Sequence, residues 1–173
     1  YKRQDFQQQR FVDLVNNDLA NTIGNLLNRT SSMARKWFDD GVPPAGAASE
    51  ADHPLALKTA ETISTVMEAM PQLAFKTAAE SILQLAIAAN GHLNDTAPWS
   101  RMKEPDQEQS VAEDLFAVLE TTRIVGLLLA PLLPDLGERI LSQLGERLDP
   151  DNWSKQLNWG RLCSGSALPK PTP

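Results

Sequence analysis

Apolar side chains recur every three or four positions in the first forty residues of the chain, between Phe11 and Trp37. This spacing puts them on one face of a helix, so we predict a long first helix over residues 8–38. Two aspartates, Gly41 and a pair of prolines follow at once, which is typical of a helix end. The glycine- and alanine-rich stretch 41–52 is therefore expected to be a loop.

Helical spacing returns in four later stretches, and no stretch alternates apolar and polar residues as a half-buried strand would. Pro71 suits the first turn of a helix, whereas Pro131 and Pro134 interrupt the last long apolar run. The chain is thus predicted to be an all-α bundle of four to five helices. The later helices are expected over about residues 55–69, 71–90, 107–130 and 134–148.

The stretch 71–90 is apolar on several sides, as the central helix of a bundle would be. Gly91 is predicted to be its C-cap, and Asn90 is more typical of a cap than of a binding residue. Residues 96–106 contain the pair Pro98-Trp99 and are expected to form a loop.

Residues 149–173 contain Trp153 and Trp159 but show no clear period. We interpret them as a tail that returns toward a further domain, which divides the chain into a bundle over 1–148 and a tail over 149–173. The chain begins with Tyr1 and ends in a proline-rich run, so we expect it to be a fragment of a longer protein.

The composition is that of an ordinary globular protein, with 42% hydrophobic and 22% charged residues. The longest apolar run, 124–133, is too short to cross a bilayer, and no secretory signal opens the chain. Cys163 is the single cysteine, which excludes an internal disulfide and fits a reducing compartment. We therefore expect a cytoplasmic protein without membrane contact; an organelle stroma or matrix also fits.

The net charge of −6 argues against a non-specific nucleic-acid binder, so any nucleic-acid site must be local. His53 and His92 stand alone without the spacing of metal ligands, so no metal site is predicted. Cys163 has no companion that could activate it, and no nucleophile–base pair is visible. The sequence therefore predicts no catalytic residue.

Four stretches carry a family resemblance. In chain order they are NDLANTIGNLLNR at 17–29, AN at 89–90 with APW at 97–99, LETTRIVGLLLAPLLP at 119–134, and WG at 159–160 with PKP at 169–171. Together they resemble the anticodon-binding domain of methionyl-tRNA synthetases. The resemblance implies the helical bundle that class I synthetases of this type use to bind the anticodon.

The resemblance also implies a function: recognition of the CAU anticodon of a methionine tRNA. The full-length enzyme would attach methionine to that tRNA with ATP, which makes the tRNA and the catalytic domain of the same chain the implied partners. The His-x-Gly-His and Lys-Met-Ser-Lys-Ser signatures of the family's catalytic part do not occur in this sequence. This stretch is therefore expected to bind no cofactor itself, with ATP held elsewhere in the full-length enzyme.

Asn25 and Arg29 lie four residues apart and so share one face of the first helix. Their carboxamide and guanidinium groups suit the Watson–Crick edges of unstacked bases. The resemblance implies that both contact the anticodon and that Trp99, presented by Pro98, stacks on one of its bases. Lys36, on the same face, is a weaker candidate for a phosphate contact.

Each of these residues also has a purely structural interpretation. Asn25 could be a solvated helix residue, Arg29 could form a surface salt bridge with Asp18, and Trp99 could pack on the end of the bundle. For the whole chain, the main alternative is a helical protein–protein interaction module of an unrelated family, which the acidic charge favours. A stand-alone enzyme has the least support.

Arg123 lies within the apolar fourth helix of the prediction. A buried guanidinium needs a partner, so we expect it to pair with a carboxylate such as Glu120 or Glu80.

Overall fold

The computed structural model describes residues 21–104 and 106–170, and these residues form helices without a β-strand. The start of the first predicted helix, with Asp18, lies outside the described residues. The helices are α1 (Asn21–Trp37), α2 (Pro54–Ala69), α3 (Phe75–Thr96), α4 (Pro98–Arg101), α5 (Glu108–Leu129), α6 (Pro134–Gln143) and α7 (Trp153–Gln156). The prediction of an all-α bundle is confirmed.

Helix α5 is the centre of the bundle, with α1, α2, α3 and α6 packed around it. All of its residues from Leu115 to Leu129 are buried. A helix that is apolar on every side belongs inside a domain, because no face of it gains from contact with water. We had assigned the central position to the preceding long helix, and that prediction is wrong: α3 exposes Ile87 at 45%.

The second and fourth predicted helices are confirmed to within a residue, as α2 and α5. The third differs at both ends. Pro71 sits in a separate 3-10 turn, Met70–Gln72, and Leu73 then adopts a left-handed φ of 58° before α3 begins. At its other end α3 runs six residues beyond the predicted 90, to Thr96.

The predicted C-cap at Gly91 is wrong, because Gly91 lies inside α3. Asn90 does not cap the helix either; its side chain donates to the carbonyl oxygens of Ala86 and Thr22. One glycine in a helix costs only about 1 kcal/mol relative to alanine, and continuing the helix buries Leu93 completely. Helix α3 ends at Thr96, and the following Ala97 adopts a left-handed φ of 42°.

Two other predicted boundaries also change. The expected loop over 96–106 contains the short helix α4, and the helix expected to reach residue 148 ends at Gln143. Gly145, with a φ of 73°, turns the chain there. Among the described residues, no helix combines the length and the hydropathy needed to cross a membrane.

Residues 149–170, here called the C-terminal segment, pack on the bundle. The indole nitrogens of Trp153 and Trp159 donate to the carbonyl oxygens of Leu127 and Ala48, at 3.0 and 2.9 Å. A single antiparallel bridge joins Ala167 to Gly41. The segment therefore packs against this same bundle; its predicted status as a separate tail that returns to a further domain stays a prediction.

Arg123 and Glu120 form a buried ion pair, as the sequence led us to expect. The guanidinium donates to both carboxylate oxygens at 2.9 and 2.7 Å, and the side chains are 2% and 0% exposed. Arg123 also donates to the carbonyl oxygens of Gln156 and Asn158, while Glu120 accepts from the backbone of Arg161 and Leu162. The pair thus ties the C-terminal segment to α5.

Candidate nucleic-acid interface

Helix α1 has one buried face and one polar face. Ile23, Leu26 and Leu27 point into the core, whereas Asn25, Arg29 and their neighbours are exposed. A shallow groove of ≈ 410 Å³ runs along the polar face. It is lined by Asn25, Asn28, Arg29, Ser32 and Met33. The two predicted site residues of this helix therefore share one open surface.

Trp99 lies beside that surface. The Arg29 Cζ atom lies 5.4 Å from the centroid of the Trp99 ring, within the range of a cation–π interaction. The indole is 40% exposed. The structure thus brings together Arg29 and Trp99, which are seventy residues apart in the sequence. The indole is partly exposed, and its binding role stays a prediction.

The junction between α3 and α4 directs the indole toward Arg29. Ala97 takes a left-handed φ of 42°, and Pro98 follows as the first residue of α4. Pro98 is buried, and its fixed φ suits a first helical turn. Pro98 thus helps to hold the turn that carries Trp99, and its predicted contribution to binding stays a prediction.

Two further groups complete the polar face. Asn94, near the end of α3, accepts a hydrogen bond of 3.4 Å from Arg29 and so links α1 to α3. Lys36 is exposed near the end of α1, seven residues from Arg29 and so about 10 Å farther along the helix axis. Arg35 beside it pairs with Asp40 at 2.6 Å. The positive groups of α1 therefore extend away from Trp99 toward the other end of the helix.

A network of polar side chains connects α4 to α3 and α5. Arg101, the last residue of α4, donates to Asp114 of α5 at 2.5 Å, and His92 of α3 lies 3.1 Å from the other carboxylate oxygen. Burial alone would raise the pKa of the Asp114 carboxyl, but the hydrogen bonds from His92 and Arg101 outweigh it and hold that pKa below its usual value. The carboxylate is thus the charged centre of this network.

The network continues to the C-terminal segment. The His53 ring meets His92 edge to face, with centroids 5.5 Å apart, and stacks on Trp159 at 6.2 Å. Burial, with His92 close by, lowers the pKa of the His53 imidazole. His53 also caps α2, since its Nδ1 accepts from the Leu55 amide. No group of three His, Cys, Asp or Glu residues with metal-binding geometry occurs among residues 21–104 and 106–170.

Sequence reasoning missed Asn94, Arg101 and Asp114. Asp114 lies in the N-terminal turns of α5, where an acidic side chain suits the helix dipole and gives no further signal in the sequence. A signal was present at Arg101, because it stands between two helices and needs an acceptor, but its partner cannot be chosen among several nearby carboxylates without a structure.

The fold and the polar face together define an all-α domain whose exposed groups suit contact with unstacked bases. A family model for the anticodon-binding domain of methionyl tRNA ligase matches residues 42–172. The chain therefore belongs to this family of anticodon-binding domains. The comparisons give no support to the alternative interpretation as a protein–protein interaction module.

Curated relatives agree with the family model. The methionine–tRNA ligase of Thermosynechococcus vestitus is 41% identical over 98% of this chain. The Bacillus subtilis enzyme is 37% identical over 81% of it, and the chloroplastic/mitochondrial enzyme of Arabidopsis thaliana is 32% identical over 98%. These matches cover 33%, 21% and 28% of the three relatives, so the chain spans a third of their length or less.

Solved structures show the same fold. The methionyl-tRNA synthetase of Mycobacterium tuberculosis, in a complex with methionyl-adenylate, superposes with a TM-score of 0.82 and 31% identity. The match covers 95% of this chain and 32% of that one. The ligand-free form of the same protein gives a TM-score of 0.83 over 96% of this chain.

Proposed function

We propose that this domain binds the anticodon of a methionine tRNA, with the sequence CAU, through the polar face of α1 and the indole of Trp99. The observation that carries the proposal is the 5.4 Å approach of the Arg29 guanidinium to an indole that is 40% exposed. One open surface then offers both hydrogen-bonding groups and a stacking platform. Single-stranded RNA loops are recognised by this combination.

Each group has a distinct role in the proposed complex. The Asn25 carboxamide and the Arg29 guanidinium read base edges, because between them they offer several donors and an acceptor along one helix face. Trp99 stacks on an extruded base, which supplies affinity without much sequence preference. Lys36 lies farther along α1 and meets a backbone phosphate.

The proposal extends to the full-length protein. The relatives that the chain matches are several times longer, and they are methionine–tRNA ligases. The catalytic domain of such an enzyme would hold ATP and methionine and attach the methionine to the tRNA, while this domain holds the tRNA. Because the relatives include bacterial enzymes and an organellar one, the cytoplasm or an organelle interior is the compartment we propose.

The experiment compares anticodons with single substitutions on α1. We expect Asn25→Ala and Arg29→Ala each to weaken binding of a tRNA with CAU by about 1–3 kcal/mol, the usual loss for a good base-edge contact. The loss should shrink with a tRNA whose anticodon is already changed, because the missing contact reads a base. Fluorescence titration at low salt, where electrostatic attraction is least screened, measures both affinities.

Arg139→Ala is the matched control, since Arg139 is an exposed arginine on α6, away from the groove on α1. It should leave both affinities unchanged. Equal losses for every anticodon would show that Asn25 and Arg29 contact only the RNA backbone. Unchanged affinity in both α1 variants would refute the proposed interface.

A further inference from the structure

Helix α4 is too short to hold its own position. It has four residues, Pro98–Arg101, and follows a left-handed Ala97. A helix of one turn has no cooperative stability of its own, so neighbouring elements must set its orientation. Trp99 is the second residue of this helix, and any rotation of α4 would therefore move the indole away from Arg29.

Arg101 makes side-chain hydrogen bonds that hold α4 against its neighbours. Its guanidinium donates to the Asp114 carboxylate at 2.5 Å, to the Gln107 side chain at 3.3 Å, and to the Ser110 hydroxyl. It also donates to the carbonyl oxygen of Thr96, the last residue of α3, at 3.3 Å. One planar group thus binds both the end of α3 and the start of α5, the helices that precede and follow the one that carries Trp99.

Asp114 is itself fixed. It is 13% exposed, and its second oxygen lies 3.1 Å from the His92 ring on α3. Arg101 is therefore anchored to a carboxylate that is held from the opposite side. A charge-assisted pair with little solvent access is stronger and better directed than a surface pair.

We propose that Arg101 is a positioning residue for RNA binding: its pair with Asp114 locks α4 so that the Trp99 indole stands ready beside Arg29. This inference rests on the proposed role of Trp99 in anticodon binding. Arg101 itself touches no base. It acts by removing the cost of ordering the indole at the moment of binding, since a preorganised group loses less entropy than a mobile one.

The first test needs no RNA. The chain has four tryptophans, and labelling them with 5-fluorotryptophan gives each its own fluorine resonance. Arg101→Gln should move the Trp99 resonance toward the position seen in the unfolded protein. The Trp153 resonance serves as the internal reference, because that indole is tied to Leu127 in the core and should stay in place. An unmoved Trp99 resonance would overturn the proposal.

The second test is a double-mutant cycle on tRNA affinity. Removing a stacking indole typically weakens binding roughly 5–150-fold. Arg101→Gln should weaken binding by a factor no larger than Trp99→Ala does, and should cause no further loss when Trp99 is already alanine. An equal loss in both backgrounds would show that Arg101 acts independently of Trp99, which contradicts the proposal. Arg139→Gln, on the exposed side of α6, is the control.

Arg101→Lys guards against a variant that fails to fold, because it keeps the charge and one contact to Asp114. It should give an intermediate fluorine shift and an intermediate affinity. The outcomes separate the two proposals. If Trp99→Ala weakens binding and Arg101→Gln does not, the proposed positioning role of Arg101 is refuted and the proposed anticodon binding is retained. If the fluorine resonance moves but neither variant changes affinity, Arg101 does position Trp99 and the RNA-binding role of the indole fails.

Discussion

Trp99 is an exposed aromatic residue whose removal should cost binding rather than stability. The indole is 40% exposed and lies against the Arg29 guanidinium on the surface. We expect Trp99→Ala to leave the free energy of unfolding nearly unchanged and to weaken tRNA binding by about 1–3 kcal/mol. Trp99→Phe should retain part of the affinity, since a smaller ring still stacks. Urea unfolding and tRNA titration measure the two quantities.

Phe75 provides the matched control for this prediction. It is an aromatic residue of similar exposure, 47%, at the first position of α3. Thr96, next to the turn that carries Trp99, is the last residue of that helix, about 30 Å away along its axis. Phe75→Ala should not change tRNA affinity, and comparable losses for both variants would contradict a specific role of Trp99.

The residues of the candidate site were predictable to different degrees. Asn25 and Arg29 follow from helical spacing together with the family resemblance, and Trp99 follows from the resemblance alone. The proximity of Trp99 to Arg29 was not predictable. It depends on the left-handed φ of Ala97, and an alanine in the sequence gives no sign of that backbone conformation. Arg101 and Asp114 were missed because their contact is formed between two helices.

At the scale of elements, the packing of α6 on α5 depends on a glycine. A Cβ at Gly137 would lie 2.8 Å from the Ala130 Cα and 2.9 Å from the Gly126 carbonyl oxygen, both backbone atoms of the α5 end. Gly91, inside α3, has no atom within 4 Å of the position its Cβ would take. The close packing of α6 on α5 therefore requires a glycine at position 137, whereas no neighbouring atom requires one at position 91.

Substitution by alanine should change the free energy of unfolding in opposite directions at these two glycines. Gly137→Ala should destabilise the domain by about 1–3 kcal/mol, because the two helices must move apart. Gly91→Ala should stabilise it by roughly 0.5–1 kcal/mol, because alanine restricts the unfolded chain and favours the helix. Urea unfolding of both variants provides the measurement, and a shared sign would refute the packing argument.

Helix boundaries were predictable where composition and geometry agree. Helix α2 begins at a proline, and α5 is a long apolar run ended by another, so both were placed to within a residue. The end of α3 was misplaced because a glycine is a weak stop signal when the next turn buries Leu93. The C-terminal segment showed no hydrophobic period because a few widely separated contacts hold it on the bundle, and not one continuous apolar face.

For the whole molecule, the Glu120–Arg123 pair couples the core to the C-terminal segment. Arg123→Met would leave the Glu120 carboxylate buried with only backbone donors. We expect the free energy of unfolding to fall by about 3–5 kcal/mol. Protection of the Arg161 and Leu162 amides against hydrogen exchange should fall as well, because both donate to Glu120. Exchange monitored by mass spectrometry would show this.

The control is Arg139→Met on the exposed side of α6, which should change stability by no more than about 0.5 kcal/mol. If Arg123→Met changed exchange only near α5, the C-terminal segment would be held by its tryptophans and its backbone bridge to Gly41, without a contribution from the ion pair. A segment that packed only on another domain would be poorly protected in this domain alone. The contacts of the C-terminal segment with Leu127, Ala48 and the ion pair instead argue for protection close to that of the bundle.

The buried ion pair also has a consequence for the order of events during synthesis. The four backbone groups that satisfy Arg123 and Glu120 come from residues 33 to 42 positions later in the chain. At about 5–20 residues per second, a ribosome needs roughly 2–8 s to add them. During that interval the carbonyl oxygens that accept from Arg123 and the amides that donate to Glu120 have not been synthesised. Water must therefore hydrate both side chains. We therefore expect the centre of the bundle to close around α5 only after Leu162 has left the ribosome.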